Sequence, residues 1–253
     1  MEQRLNSLQS DYAALHTALF DAAQVHRRLC APRRLRVGSF EIASEIFAVR
    51  QLPGDFFIAQ EQTRELTFAL GDVCGKGLAA GMWVTHVAGL VTMHAGFDPE
   101  PRSIVAGVNR DFQRTPTMPL ASLFQARLDP ITGALDYCNA GHPPALLLRG
   151  DGARLEPLSE GGPLLGAVET ALFRQGRVRL HRGDVLVIYS DGILDSVNPA
   201  GEQFGYERWI EHVQENDTED ADAMLLSLLG AVQDFAGGRP IEDDMSLVVI
   251  RHD

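Results

Sequence analysis

Four acidic positions in this 253-residue chain share one local grammar. Asp55 follows Gly54, Asp72 follows Gly71, Asp191 lies between Ser190 and Gly192, and Asp243 is paired with Asp244. Each abuts an apolar run that reads as a strand. One strand-end aspartate is ordinarily a turn former or a cap. Four of them make a set of oxygen donors. Clustered carboxylates hold protons more tightly unless cations neutralise them. No histidine or cysteine falls at a matching spacing, so the donor set points to Mg2+ or Mn2+ rather than zinc. Two such ions side by side clamp a phosphoryl group and acidify a bound water. Cys30, Cys74 and Cys138 form no Cys-x-x-Cys pair and read as free thiols of a reducing compartment.

These aspartates need rigid elements to hold them. The segment 66–70 is an apolar strand that runs into Gly71-Asp72-Val73-Cys74-Gly75-Lys76-Gly77. Glycines there permit positive φ and close approach of the backbone to a ligand. Residues 56–58 and 66–70 read as a hairpin around a polar turn at 61–64, which makes Asp55 and Asp72 neighbours across an antiparallel pair. Residues 185–189, wholly apolar, read as a central strand ending at Ser190-Asp191-Gly192, and 245–251 as a closing strand after Asp243-Asp244. Further strands are expected within 35–57 and at 120–128, 134–139, 145–149 and 178–180, with a loop at 161–166. Helices are expected at 78–95, apolar nearly all round and so buried on both sides, and at 103–114, 206–213 and 221–235, the last capped by Asp220 and ended by Gly237-Gly238. Short strands with helices in segregated blocks indicate an α+β sandwich rather than a parallel α/β sheet.

Ahead of this domain, Leu5, Leu8, Tyr12, Leu15, Leu19, Ala22, His26 and Leu29 repeat at spacings of three and four. That is a heptad seam. It divides the chain into an N-terminal helix, 1–31, and a domain, 32–253, and suggests a homodimer through the helix, or a helix laid on the domain's own core. Composition, 45% hydrophobic and 22% charged, is that of a globular protein. A net charge of −12 disfavours nucleic acid and anionic membrane as partners. No apolar run approaches a membrane span and no secretory signal is visible, so a cytoplasmic location is expected. No separate sensor domain is expected.

Five motifs occur in order: Pro53-Gly54-Asp55-Phe56-Phe57, the Gly71 to Gly77 turn, Asn139-Ala140-Gly141-His142-Pro143-Pro144, Tyr189-Ser190-Asp191-Gly192-Ile193, and Asp243-Asp244-Met245-Ser246-Leu247. The series resembles the metal-dependent protein serine/threonine phosphatases of the PPM (protein phosphatase 2C) superfamily, in the bacterial branch typified by the stage II sporulation phosphatase and the sigma-factor regulators. The resemblance covers residues 35–251. It implies a four-layer α-β-β-α sandwich of two antiparallel sheets with two Mn2+ or Mg2+ ions at one edge. It further implies that Asp72 bridges both ions, that the Val73 carbonyl adds a ligand, that Asp191 and Asp243 bind the other ion, and that Asp55 binds directly or through water. Asp244 would support the ligands from behind. The implied reaction is in-line attack of a metal-activated water on phosphoserine or phosphothreonine, without a phosphoenzyme. The implied substrate is a phosphorylated STAS-type antagonist of a sigma-factor regulator.

The chain departs from that pattern in three places. Pro53 replaces a glycine, Ile58 replaces a second aspartate that bears on one metal site, and Cys74 stands where serine is common. Arg50 and Lys76 are candidates for contacting phosphate, against surface roles. His142 reads as turn structure more readily than as a general acid. Two other readings are a catalytically weak or inactive binding module in a partner-switching pathway, and a metal-dependent phosphodiesterase or nuclease, which the acidic charge disfavours.

Overall fold

The structure is a computed structural model that describes residues 2–30, 34–62, 64–115, 117–150, 152, 154–216 and 220–253. Elements are numbered in chain order. Helix α1 (Glu2–Cys30) leads into a sandwich of two sheets. Sheet one has the order β1 (Arg34–Val37), β2 (Phe40–Phe47), β12 (Met245–His252), β11 (Val185–Tyr189), β7 (Ala145–Leu148), β8 (Leu155–Leu158), all antiparallel. Sheet two has the order β10 (Gly176–Arg179), β6 (Ala134–Ala140), β5 (Ala121–Leu128), β4 (Glu65–Val73), β3 (Asp55–Gln62), also antiparallel. The two-residue β9 (Gly161–Gly162) lies parallel to β6. The helices are α2 (Leu78–Phe97), α3 (Pro101–Gln113), α4 (Asp191–Leu194), α5 (Gly205–Gln214) and α6 (Ala221–Ala236).

Alternation along the strands builds three apolar layers. Leu66, Phe68 and Leu70 of β4 meet Val248 and Ile250 of β12 between the sheets. Ala69 and Val73 of β4 face the other way, toward Val84, Val87 and Val91 of α2 and Ile104, Val105 and Val108 of α3. Leu247 and Val249 of β12 turn outward to Trp209 of α5 and Leu225 and Leu228 of α6. The result is the expected α-β-β-α order.

Several details correct the sequence reading. Helix α2 is not buried on both sides: Met82 and Phe97 are 67% and 83% exposed. It is an outer layer, with only one face on sheet two. Although no run was expected to approach a membrane span, α2 is long and apolar enough to cross a membrane by length and composition alone. The 161–166 loop contains β9, and β8 is an added edge strand. Asp220 does cap α6, accepting from the amides of Asp222 and Ala223, and Gly237 ends it in the left-handed region at φ 58°. In α1, His26 and Cys30 are buried, whereas Leu5, Leu8, Tyr12 and Leu15 are exposed.

Candidate metal centre

The β3–β4 hairpin sets Asp55 directly opposite Asp72, and β5 sets Ser122 on the other side of Asp72. In sheet one, β11 and β12 are antiparallel with Tyr189 opposite Leu247. The end of β11, with Asp191, and the start of β12, with Asp243 and Asp244, therefore share one edge. Side chains tie this edge to the Asp55–Asp72 edge of sheet two. Ser190 Oγ and Ser246 Oγ both donate to Asp55 Oδ2, at 2.7 and 2.5 Å. Ser190 Oγ also accepts from the Ser246 amide at 2.9 Å. Asp244 spans the same gap, accepting from the amides of Val49 and Gly54, each at 2.7 Å.

Glycines make this closeness possible. A Cβ on Gly54 would lie 2.8 Å from the Val73 carbonyl oxygen and 3.2 Å from Asp72 Oδ1. The Val73 carbonyl and the Asp72 carboxylate thus converge beside one bare stretch of backbone. A Cβ on Gly192 would lie 2.0 Å from the Asp244 carbonyl oxygen.

Electrostatics mark the rim as short of positive charge. Burial pushes Asp72 up to about 7, and the charges of Asp191, Asp243 and Asp244 add to the effect. A hydrogen bond shared with Asp55 opposes it. Two carboxyls can share such a bond only if one carries a proton. Asp55 is raised well above its ordinary value, first by complete burial and then by Asp72. Asp191 is raised by burial, Asp195 and Asp243. Lys76 Nζ lies 3.0 Å from Asp243 Oδ2 and donates to the Glu242 carbonyl at 2.6 Å, so an ammonium already stands at one carboxylate. Among the described residues no three acidic, histidine or cysteine side chains form a closed cation cage. Mg2+ does not require one, since it keeps several waters and uses one or two carboxylates. An all-oxygen rim with raised carboxyls and a lysine as stand-in cation fits hard divalent ions.

The remaining candidates fall in different places. Arg50, on the 48–54 connection, packs on the glycine turn, with its Cδ 3.2 Å from where a Gly77 Cβ would sit. His142 is buried, and burial drives its imidazole down to about 3. Its Nδ1 pairs with Ser122 Oγ at 2.7 Å, and Asn139 brackets it through both its amide and its carbonyl. This is the turn role. Ile58 packs in the apolar layer under α2, so that departure falls in the core. Cys74 is exposed beside the rim. Sequence reasoning missed Ser190 and Ser246 as holders of Asp55. The available signal was Ser246, a lone hydroxyl in the run 245–250, which is otherwise apolar.

The fold is that of the PPM-type protein phosphatases, a class that is metal-dependent. The profile of the stage II sporulation protein E (SpoIIE) family matches residues 62–253, and the chain belongs to that family. It is 26% identical over 233 residues to Protein IcfG of Synechocystis, an alignment that covers 79% of this chain and 36% of IcfG. It is 22% identical over 233 residues to the phosphoserine phosphatase RsbU of Bacillus subtilis, covering 91% of this chain and 68% of RsbU. The chain therefore spans about a third of one relative and two thirds of the other. The PP2C domain of SiaA from Pseudomonas aeruginosa shares the fold with a TM-score of 0.82 at 15% identity, over 96% of this chain and 99% of that domain.

Proposed function

We propose that the chain hydrolyses phosphoserine or phosphothreonine on a protein, using Asp55, Asp72, the Val73 carbonyl, Asp191 and Asp243 to hold two Mn2+ or Mg2+ ions. The observation that carries this reading is the facing of Asp55 and Asp72 at one rim that serine and Asp244 bridges tie to Asp191 and Asp243. Such ions, when bound, supply charge for the phosphoryl oxygens and a more acidic water. The chain's own groups do the positioning. Ser190 and Ser246 fix Asp55 through one oxygen, and Asp244 fixes the connection that leads into β3. Lys76 offsets negative charge at Asp243, and Arg50 and Lys76 stand near enough to the turn to meet a phosphoryl group. The substrate would be a phosphorylated STAS-type antagonist in sigma-factor regulation, in keeping with the phosphoserine phosphatase RsbU as a relative. The helix at 1–31 would serve the domain at 32–253 as a dimerisation element, its seam being exposed over Leu5 to Leu15.

The test is hydrolysis of an aryl phosphate and of a phosphoserine protein with Mn2+, with Mg2+ and with chelator. Turnover should require metal. Asp72→Ala and Asp191→Ala should each lower it about a thousandfold, roughly 4 kcal/mol of barrier. A second reading, an inactive binding module, draws on the Lys76–Asp243 pair, which neutralises a ligand without metal. Calorimetry decides between them: absence of Mn2+ binding would favour the module.

A further inference from the structure

A cleft of about 540 Å3 lies between the last four turns of α1 on one side and β2 with the 48–53 connection on the other. That is the size of a small-ligand site. Its walls combine Phe20, Ile46 and Phe47 with the cationic side chains Arg27 and Arg50. Of the described residues that line it, Glu45 alone carries a carboxylate, in a chain whose net charge is −12. On the walls themselves the two guanidiniums outnumber the one carboxylate, and Asp244 stands close enough to His26 to act on it from behind.

A second, independent observation points to a ligand. His26 lines the cleft and is 6% exposed, yet its Nε2 has no hydrogen-bond partner. A buried polar atom left unpaired is destabilising. Burial lowers the pKa of this imidazole, against the opposing charge of Asp244, and in the neutral form that burial favours Nε2 can carry the proton and donate. An anion seated between the arginines would supply the missing acceptor, while its apolar part covered the phenylalanines.

We propose that this cleft binds a small anion on an apolar body, such as an aryl carboxylate, sulfonate or phosphate. Its floor is the segment that leads into the metal rim. Val49 and Gly54, at either end of that segment, donate to Asp244, and Arg50 packs on Gly77. The Asp244 charge is felt at His26. Occupancy would therefore alter the placement of Asp55 and Asp244 from outside the catalytic rim.

The binding test is independent of the catalytic reading. The full chain, in chelator, is titrated with 8-anilinonaphthalene-1-sulfonate and followed by its fluorescence. One saturable site is expected. Ala23→Trp, which fills the cleft, and Arg27→Glu, which reverses its charge, should each weaken binding at least tenfold with unchanged circular dichroism. Leu8→Glu, on the exposed seam of α1, should leave binding unaltered. Absence of a saturable site, or affinity unchanged in Arg27→Glu, overturns the proposal. So does loss of the signal with Leu8→Glu, which would place the dye on the seam. If Ala23→Trp dissociates a dimer in sedimentation while Arg27→Glu binds normally, the space belongs to a second copy and the proposal falls.

Discussion

Asp72 carries the most informative chemistry of any single side chain here. In the metal-free chain its carboxyl sits at about 7 against an ordinary 3.8, so folding is penalised above pH 7 and relieved as pH falls through that value. A divalent cation would remove the penalty by replacing the proton. Mn2+ should therefore raise the melting temperature more at pH 8 than at pH 6, where protons compete for the same oxygen atoms. At a hundredfold excess over Kd the stabilisation is about 2.7 kcal/mol. Thermal unfolding with and without Mn2+ at both pH values measures it; equal shifts would remove Asp72 from the ligand set. The aspartates themselves are legible in the sequence because each breaks an apolar run beside glycine or another acid. Ser190 and Ser246 are harder to read. Their bonds to Asp55 join positions 135 and 191 residues apart, across two sheets, and no local pattern encodes that distance.

Among the elements, the β3–β4 hairpin was readable in register because a short polar turn fixes which residues face each other. The placing of Asp55 against Asp72 followed directly. Helix α2 was not readable in its burial. Its residues are apolar on every side, so no periodicity distinguishes the sheet-facing stripe of Val84, Val87 and Val91 from the exposed Met82 and Met93. The 48–54 connection depends on one acid. Asp244→Ala would strip the amides of Val49 and Gly54 of their acceptor, at a cost of about 1–3 kcal/mol for the buried Gly54 amide and less for Val49, which water can reach. Urea unfolding should show the loss, and Asp244→Asn, which keeps one acceptor oxygen, should lose less. A variant as stable as the parent would mean that water takes over both bonds.

In the molecule as a whole, two features face outward: the rim and the first half of α1. Leu5, Leu8, Tyr12 and Leu15 are each more than half exposed, an apolar stripe that needs a partner. If that partner is a second copy, sedimentation should give a dimer, and Leu8→Glu with Leu15→Glu should give a monomer of unchanged circular dichroism. A parent chain that is monomeric at tens of micromolar would rule the dimer out. The rim has a different consequence. Half of its carboxylates hang from each sheet, joined across the gap by a few serine and backbone contacts. On the proposed reading, the site would work as a caliper whose jaws are the two sheets. A misplacement of about 1 Å is enough to cost a hundredfold in rate, whereas the sheets themselves are held by an apolar layer of some twenty buried side chains. Under gentle heat or dilute denaturant, catalysis should fail while every strand is still in place.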